Sequence, residues 1–367
     1  MYKNLLRQLG ALIVFLSLIT AVAAQPAKAS EPLEVGFLYV TPLTDMGWVH
    51  QHELGRQAVE RAFNRPGQPP RVKVRHIENL AEGPDAERVL RQWAQEGVKL
   101  IFAPSFGYME PVMRVAKEFP DVRFESITGY KRAANVATAN ARYYEGRYLA
   151  GVAAARVSRS GVAGYVAGFP IPEVLQGINA FTLGMRSVNP NAVVKVICLQ
   201  SWFDPPRERE AAMSLVDQGA DALAFHTGST AVMVAAQQRG VWGVAYHSDM
   251  RKVAPDAQLI AIEHDWGAYD IARVQAALDG KWQSADVWGG IREGMIRVGH
   301  FSPKVPAQVR QQVERLSNDL ARSKVRVFSG PIIDREGQLR IPKGRVASDA
   351  EILNMNYLVQ GVQGALP

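Results

Sequence analysis

An alternation running through nearly the whole chain restricts its fold more than any other feature. Short runs rich in β-branched residues recur, and each is followed by a stretch spaced like an amphipathic helix. Leu33–Val40, Arg71–Glu78, Val98–Ala103, Val122–Thr128 and Asn135–Ala139 form one series of candidate strands. Gly161–Ala167, Val193–Leu199, Ala222–His226, Val241–Tyr246 and Leu259–Glu263 form a second. Between strands, Asp85–Glu96 puts Val89, Leu90 and Trp93 on one face and stops at Gly97, as a helix packed on a sheet would. Strand–helix–strand alternation predicts an α/β protein with parallel sheets covered on both faces. Two sets of five strands predict two doubly wound lobes. No linker rich in Pro, Ser or Gly parts the sets, so hinge strands and a cleft between lobes are expected. Ligands of such sheets sit beyond the carboxyl ends of the strands. The tail reads as a strand at Val325–Ser329, a hairpin over Ile332–Arg340 turning at Glu336-Gly337, and a short helix from Asp349.

Charge and cysteine narrow the class. Lys and Arg outnumber Asp and Glu by 42 to 35, a formal +7 that by itself suggests a nucleic-acid partner. Much of that excess is at the N-terminus. Lys3 and Arg7 precede an apolar run from Leu9 to Ala24, and Ala27-Lys28-Ala29 offers a small-x-small cleavage site before Ser30. This is the pattern of a secretory signal peptide, residues 1–29, and the run is short for a membrane span. Cleavage would remove three cations and no acid, leaving a mildly basic chain in the periplasm. The single cysteine, Cys198, rules out a disulfide framework and a thiolate zinc site. It is also far from the cleavage site, so no lipid-acceptor cysteine is expected there.

The candidate functional residues stand at strand ends. Trp48 follows the first strand in Thr41-Pro-Leu-Thr-Asp-Met-Gly-Trp48, Phe106 and Gly107 follow the third, Trp202 and Phe203 follow Val193–Leu199, and Trp266 follows Leu259–Glu263. A single such aromatic is as often core as site. Several at one edge predict rings that stack on a flat ligand. Asp45, His226, Thr227, Tyr246, His247 and Asp249 stand in the same loops, and a carboxylate among them could accept hydrogen bonds from a heterocycle's N–H groups. Asp45 could equally cap a helix, and Asp249 could equally shape a turn.

Other motifs are weaker. In His50-Gln-His52-Glu53 the i, i+2 spacing turns the imidazoles to different sides of a helix, so no metal is expected. Ser229 lacks the Gly-x-Ser-x-Gly turn of a nucleophile, and no phosphate-cradling glycine loop follows the first strand. Arg71-Val-Lys-Val-Arg75 alternates like the wet face of an edge strand, and no nucleic-acid surface is expected.

From Leu33 to Pro367 the chain resembles the basic membrane protein family, the purine-nucleoside-receptor-like substrate-binding proteins of ABC importers. The stretches that carry the likeness are Asp45-Met-Gly-Trp48, Tyr143-Tyr-Glu-Gly-Arg-Tyr-Leu-Ala-Gly151 and Trp202-Phe-Asp-Pro205. Others are Asp217-Gln-Gly-Ala-Asp221, His226-Thr-Gly-Ser-Thr230, Ser248-Asp249 and Phe328-Ser-Gly-Pro-Ile-Ile-Asp334. The resemblance implies a type I periplasmic binding protein, two doubly wound lobes joined by three hinge crossovers. One lobe would hold 33–139 with 265–284, the other 140–264 with 285–324, and 325–367 would pack outside. It also implies a purine nucleoside or nucleobase held between Trp48 and the Trp202-Phe203 loop, with Asp249 in the place of the family's acidic residue. Tyr39 stands where many members carry an Asp, Val49 replaces a common Asn, and Arg292 replaces a Lys. Those departures weaken ribose recognition and favour a free base such as adenine.

The expected function is therefore a monomeric binding protein, without cofactor or catalysis, that delivers a purine to an ABC permease. A nucleoside-processing enzyme and a ligand-sensing receptor lobe are the alternatives. An enzyme would need an acid–base pair or metal that the sequence does not display.

Overall fold

The computed structural model describes residues 31–365, so the leader read at 1–29 lies outside the described residues. Both anticipated series of strands form. The first is β1 (Leu33–Leu38), β2 (Val72–Ile77), β3 (Leu100–Pro104), β4 (Arg123–Ile127) and β5 (Val136–Ala141). The second is β6 (Val162–Ala167), β7 (Val193–Cys198), β8 (Ala222–His226), β9 (Trp242–His247) and β10 (Gln258–His264). Two further strands, β11 (Asp286–Gly289) and β12 (Ile296–Gly299), were not anticipated, because four residues ending in glycine carry too little periodicity to read.

The sheets have the orders β11-β5-β4-β3-β1-β2 and β12-β10-β9-β8-β6-β7, and β15 (Val362–Gln363) extends the second beyond β7. All pairings within them are parallel except β12 with β10. Parallel strands are covered on both faces and so read as continuous apolar runs. Every residue of β3 and of β8 is buried. In both sheets the strand order reverses beside the first strand of the series, between β1 and β3 and between β6 and β8. Each reversal leaves a crevice at the carboxyl edge.

The chain passes between lobes after β5, after β10 and after β11, which makes the three crossovers. The helix Gly267–Leu278 docks on the first lobe through a buried carboxylate: Tyr269 Oη, Arg273 Nε and Trp282 Nε1 each lie 2.6 Å from Glu125 of β4. The range 285–324, expected whole in the second lobe, is divided. Asp286–Gly289 pairs with β5 of the first sheet, because the third crossover falls after it.

The tail differs from expectation at its start. Val325–Ser329 forms no strand, and only Ser329 makes a bridge, to Val346. The hairpin pairs β13 (Ile332–Ile333) with β14 (Leu339–Ile341), and a helix follows at Asp349–Leu353. Beyond it the tail braces the helix Pro172–Arg186. Gln176 Nε2 donates to the Ile352 carbonyl, and Asn179 binds both the Tyr357 carbonyl and the Val359 N–H.

Candidate functional site

A cavity lies where the two switch points face each other, with about 470 Å³ of non-atom space that includes open solvent. Val40, Thr41, Trp48, Ser105, Phe106 and Thr128 form its first-lobe wall, after β1, β3 and β4. Ile171, Glu173, Trp202, His226, Thr227, Gly228 and His247 form its second-lobe wall, after β6, β7, β8 and β9.

The first wall is a set of faces and hydroxyls. Trp48 opens the helix Trp48–Phe63, and its Nε1 donates to the Pro104 carbonyl at 2.8 Å, which fixes the plane of the indole. The lobes approach tightly beside it. Gly47 has φ 100°, and a Cβ there would meet the Gly228 carbonyl oxygen at 2.3 Å, so only glycine fits. The Gly47 N–H and Gln51 Nε2 both donate to Ser248 Oγ across the gap, at 3.0 and 2.9 Å. At the end of β4, Thr128 takes φ 67°, a strained value for a β-branched residue, and its buried Oγ1 has no partner among the described residues.

The second wall carries the charge and the imidazoles. The Trp202 ring lies on Gly168, where a Cβ would stand 2.7 Å from it, and packs at 4.8 Å on Phe169. Pro172 starts the helix that presents Glu173 in its first turn. Glu173 Oε2 accepts from Asn140 Nδ2 at 2.9 Å, and Oε1 lies 3.3 Å from His226 Nε2. Each carboxylate oxygen has a second lone pair left for a ligand. The His247 ring rests on Tyr246, with centroids 3.7 Å apart, and the Arg147 guanidinium covers Tyr246 at 3.4 Å. Burial pushes the imidazoles of His226 and His247 below their ordinary range and that of His264, behind them, down to about 3. All three are neutral at pH 7, and Glu173 is the only carboxylate lining the cavity among the described residues.

The structure thus brings together Trp48, Phe106, Trp202, His226, Thr227 and His247 of the residues read from the sequence, and it separates the others from the cavity. Tyr39 is fully buried and donates to Glu53 Oε2 at 2.9 Å, as core beneath the wall. Asp45 is exposed and pairs loosely with Lys252 at 3.5 Å. Gly107 turns its N–H to Glu82, and Phe203 lines a shallow outer groove with Pro205 and Ala231. Trp266 is 1% exposed and packs at the hinge against His52 and Tyr269. Asp249 is half-buried outside the cavity lining, held by Arg251 at 2.6 Å and by the buried Gln258 Nε2 at 2.8 Å. Glu173 is the acid that faces the cavity instead, and the sequence reading missed it. The signal was an acid straight after a strand end in Phe169-Pro-Ile-Pro-Glu173, disguised as an ordinary helix start.

Comparison with known proteins places these features in a lineage. Residues 33–328 match the family model described as ABC transporter substrate-binding protein, PnrA-like. A purine-binding protein of Brucella abortus is 46% identical over 93% of this chain and 96% of its own length. A putative ABC transporter glucose-binding protein of Haloferax volcanii is 34% identical, over 92% of this chain and 82% of its own. Among solved structures, an ABC transporter solute-binding protein from Conexibacter woesei superposes with a TM-score of 0.64 at 22% identity. It covers 80% of this chain and 98% of its own, a likeness of fold.

Proposed function

This chain belongs to the PnrA-like substrate-binding proteins of ABC transporters, and on that premise we propose that it is an exported binding protein that captures a purine nucleobase between its lobes. The observation that carries the reading is the convergence of Trp48 and Phe106 from one lobe and Trp202 from the other on a cavity that, among the described residues, holds a single carboxylate, Glu173. Flat rings with N–H edges suit such a slot: indole and phenyl faces stack on the plane, and Glu173 accepts from the edge. The free base is favoured over the nucleoside because the departures at Val49 and Arg292 from the family pattern weaken ribose recognition. Hinge closure would exclude water from the base and form the joined-lobe surface that an inner-membrane permease recognises. The name of the Brucella relative points to the same ligand class. Among the described residues no helix is long and apolar enough to cross a membrane.

Mass spectrometry of the small molecule that copurifies with protein made in a periplasm, followed by calorimetric titration with adenine, hypoxanthine, guanine, inosine and glucose, tests the proposal. A free purine in the purified protein, and titration tighter for bases than for inosine, is the expected result. Binding of glucose with no heat from any purine would overturn it.

A further inference from the structure

Three side chains stand in file behind the second wall. Trp266 Nε1 lies 2.6 Å from His264 Nδ1, and His264 Nε2 lies 3.0 Å from His247 Nδ1. An indole N–H donates and cannot accept, so His264 accepts at Nδ1. A neutral imidazole that accepts at one nitrogen carries its proton on the other, so His264 Nε2–H donates to His247 Nδ1. The same step places the proton of His247 on Nε2. A charged His264 would set its own N–H against the indole N–H, so the file fixes neutrality as well as tautomer.

His247 is where the file ends. Its ring forms part of the cavity wall, and its Nε2 has no hydrogen-bond partner among the described residues. The backbone there is held at φ 70°, in the left-handed region, at the carboxyl end of β9. Strain of that kind persists where the surrounding structure fixes a side chain in place, and here Tyr246 beneath the ring supplies the support.

We propose that His247 is a ligand-selecting donor, its Nε2–H aimed at a lone pair on the heterocycle, and that Trp266 and His264 are positioning residues that lock it in that tautomer. The ligand then needs an acceptor, a ring nitrogen or carbonyl oxygen, facing His247, and an N–H facing Glu173. Only this last link rests on the purine reading. The locked file is a property of the ligand-free protein.

Two measurements separate the parts. Long-range proton–nitrogen spectra of ¹⁵N-histidine-labelled protein without ligand should find both His264 and His247 protonated at Nε2. Trp266→Phe should then leave His264 and His247 as tautomer mixtures. His247 protonated at Nδ1 in the wild type would overturn the lock. In the second measurement, 1-, 3- and 7-deazaadenine each replace one ring acceptor by C–H. One of the three should bind about tenfold or more weaker than adenine, because a buried donor left unpaired is costly. That penalty should vanish in His247→Phe. Equal binding of adenine and all three analogues would overturn the donor role. Absence of any purine binding would overturn the ligand class and leave the spectra to decide the lock.

Discussion

The two walls of the cavity are built from the same strand order and differ in kind. The first-lobe wall offers Trp48, Phe106 and hydroxyls, and none of its described lining residues is ionisable. The second-lobe wall places Glu173, His226 and His247 beside Trp202, above the buried Arg147. An uncharged wall can grip any flat ring, since every heterocycle has a π-face. A wall of fixed donors and acceptors discriminates, because a mismatched edge leaves a buried polar group unpaired. On the proposed reading, capture and selection would be divided between the lobes and joined by closure.

Acid should separate the walls most strongly. Unfolded imidazoles bind protons near pH 6.5, whereas His264 in the fold does so only near 3. Below about pH 6.5 the unfolded chain therefore holds more protons than the folded one, and stability falls as pH drops. Going from pH 6.5 to 4 should cost about 3 kcal/mol through His264 alone, at about 1.4 kcal/mol per pH unit. Hydrogen exchange should show β8, β9 and β10 opening before β1 and β3, and His264→Gln should flatten the pH slope of Tm. A Tm constant between pH 7 and 4 would erase this contrast.

Glu173→Gln tests selection directly. The substituted amide sets an N–H against either Asn140, His226 or the ligand, and a charge-assisted bond is worth about 1.5–3 kcal/mol. Purine affinity should fall about 10- to 150-fold by calorimetry. An unchanged affinity would return the edge contact to an uncharged group.

The two tryptophans sharpen the comparison further. Trp202→Ala should lose about 1–3 kcal/mol of binding, with a small change in Tm, since its ring rests on Gly168 at the rim. Trp48→Ala should lose a similar amount of binding and also about 3 kcal/mol of stability. Its ring packs on His52 at 4.6 Å and His264 at 5.0 Å, so it is as much core as site. Equal Tm losses in the two variants would show that both rings are structural.

The smallest effect belongs to Asp249. Burial raises its carboxyl pKa, but hydrogen bonds from Arg251 and Gln258 outweigh that and hold it below the usual range. Asp249→Asn should leave purine affinity unchanged and cost about 0–1 kcal/mol of stability at neutral pH, a loss that fades only as pH falls below about 3.9 and through the lower value Asp249 has in the fold. A tenfold drop in affinity would bring Asp249 back into the site.

Sequence alone determined the two lobes, because β-branched runs and helical spacing are local signals that tertiary contacts here reinforce. It also put Trp48, Phe106, Trp202, His226, Thr227 and His247 at strand ends, where the fold gathers them around one cavity. What it could not determine was which way a strand-end side chain turns. Trp266 carries the same local signal as Trp48, yet its indole turns back toward His264 and the hinge. Asp249 sits two residues beyond β9, yet Arg251 and Gln258 hold it outside the cavity lining. Glu173 becomes a cavity acid only because Asn140, from the end of β5 in the other sheet, meets it across the hinge. Strand formation depends on neighbours in sequence. Side-chain direction at a strand end depends on partners tens to hundreds of residues away, and folding alone brings those together.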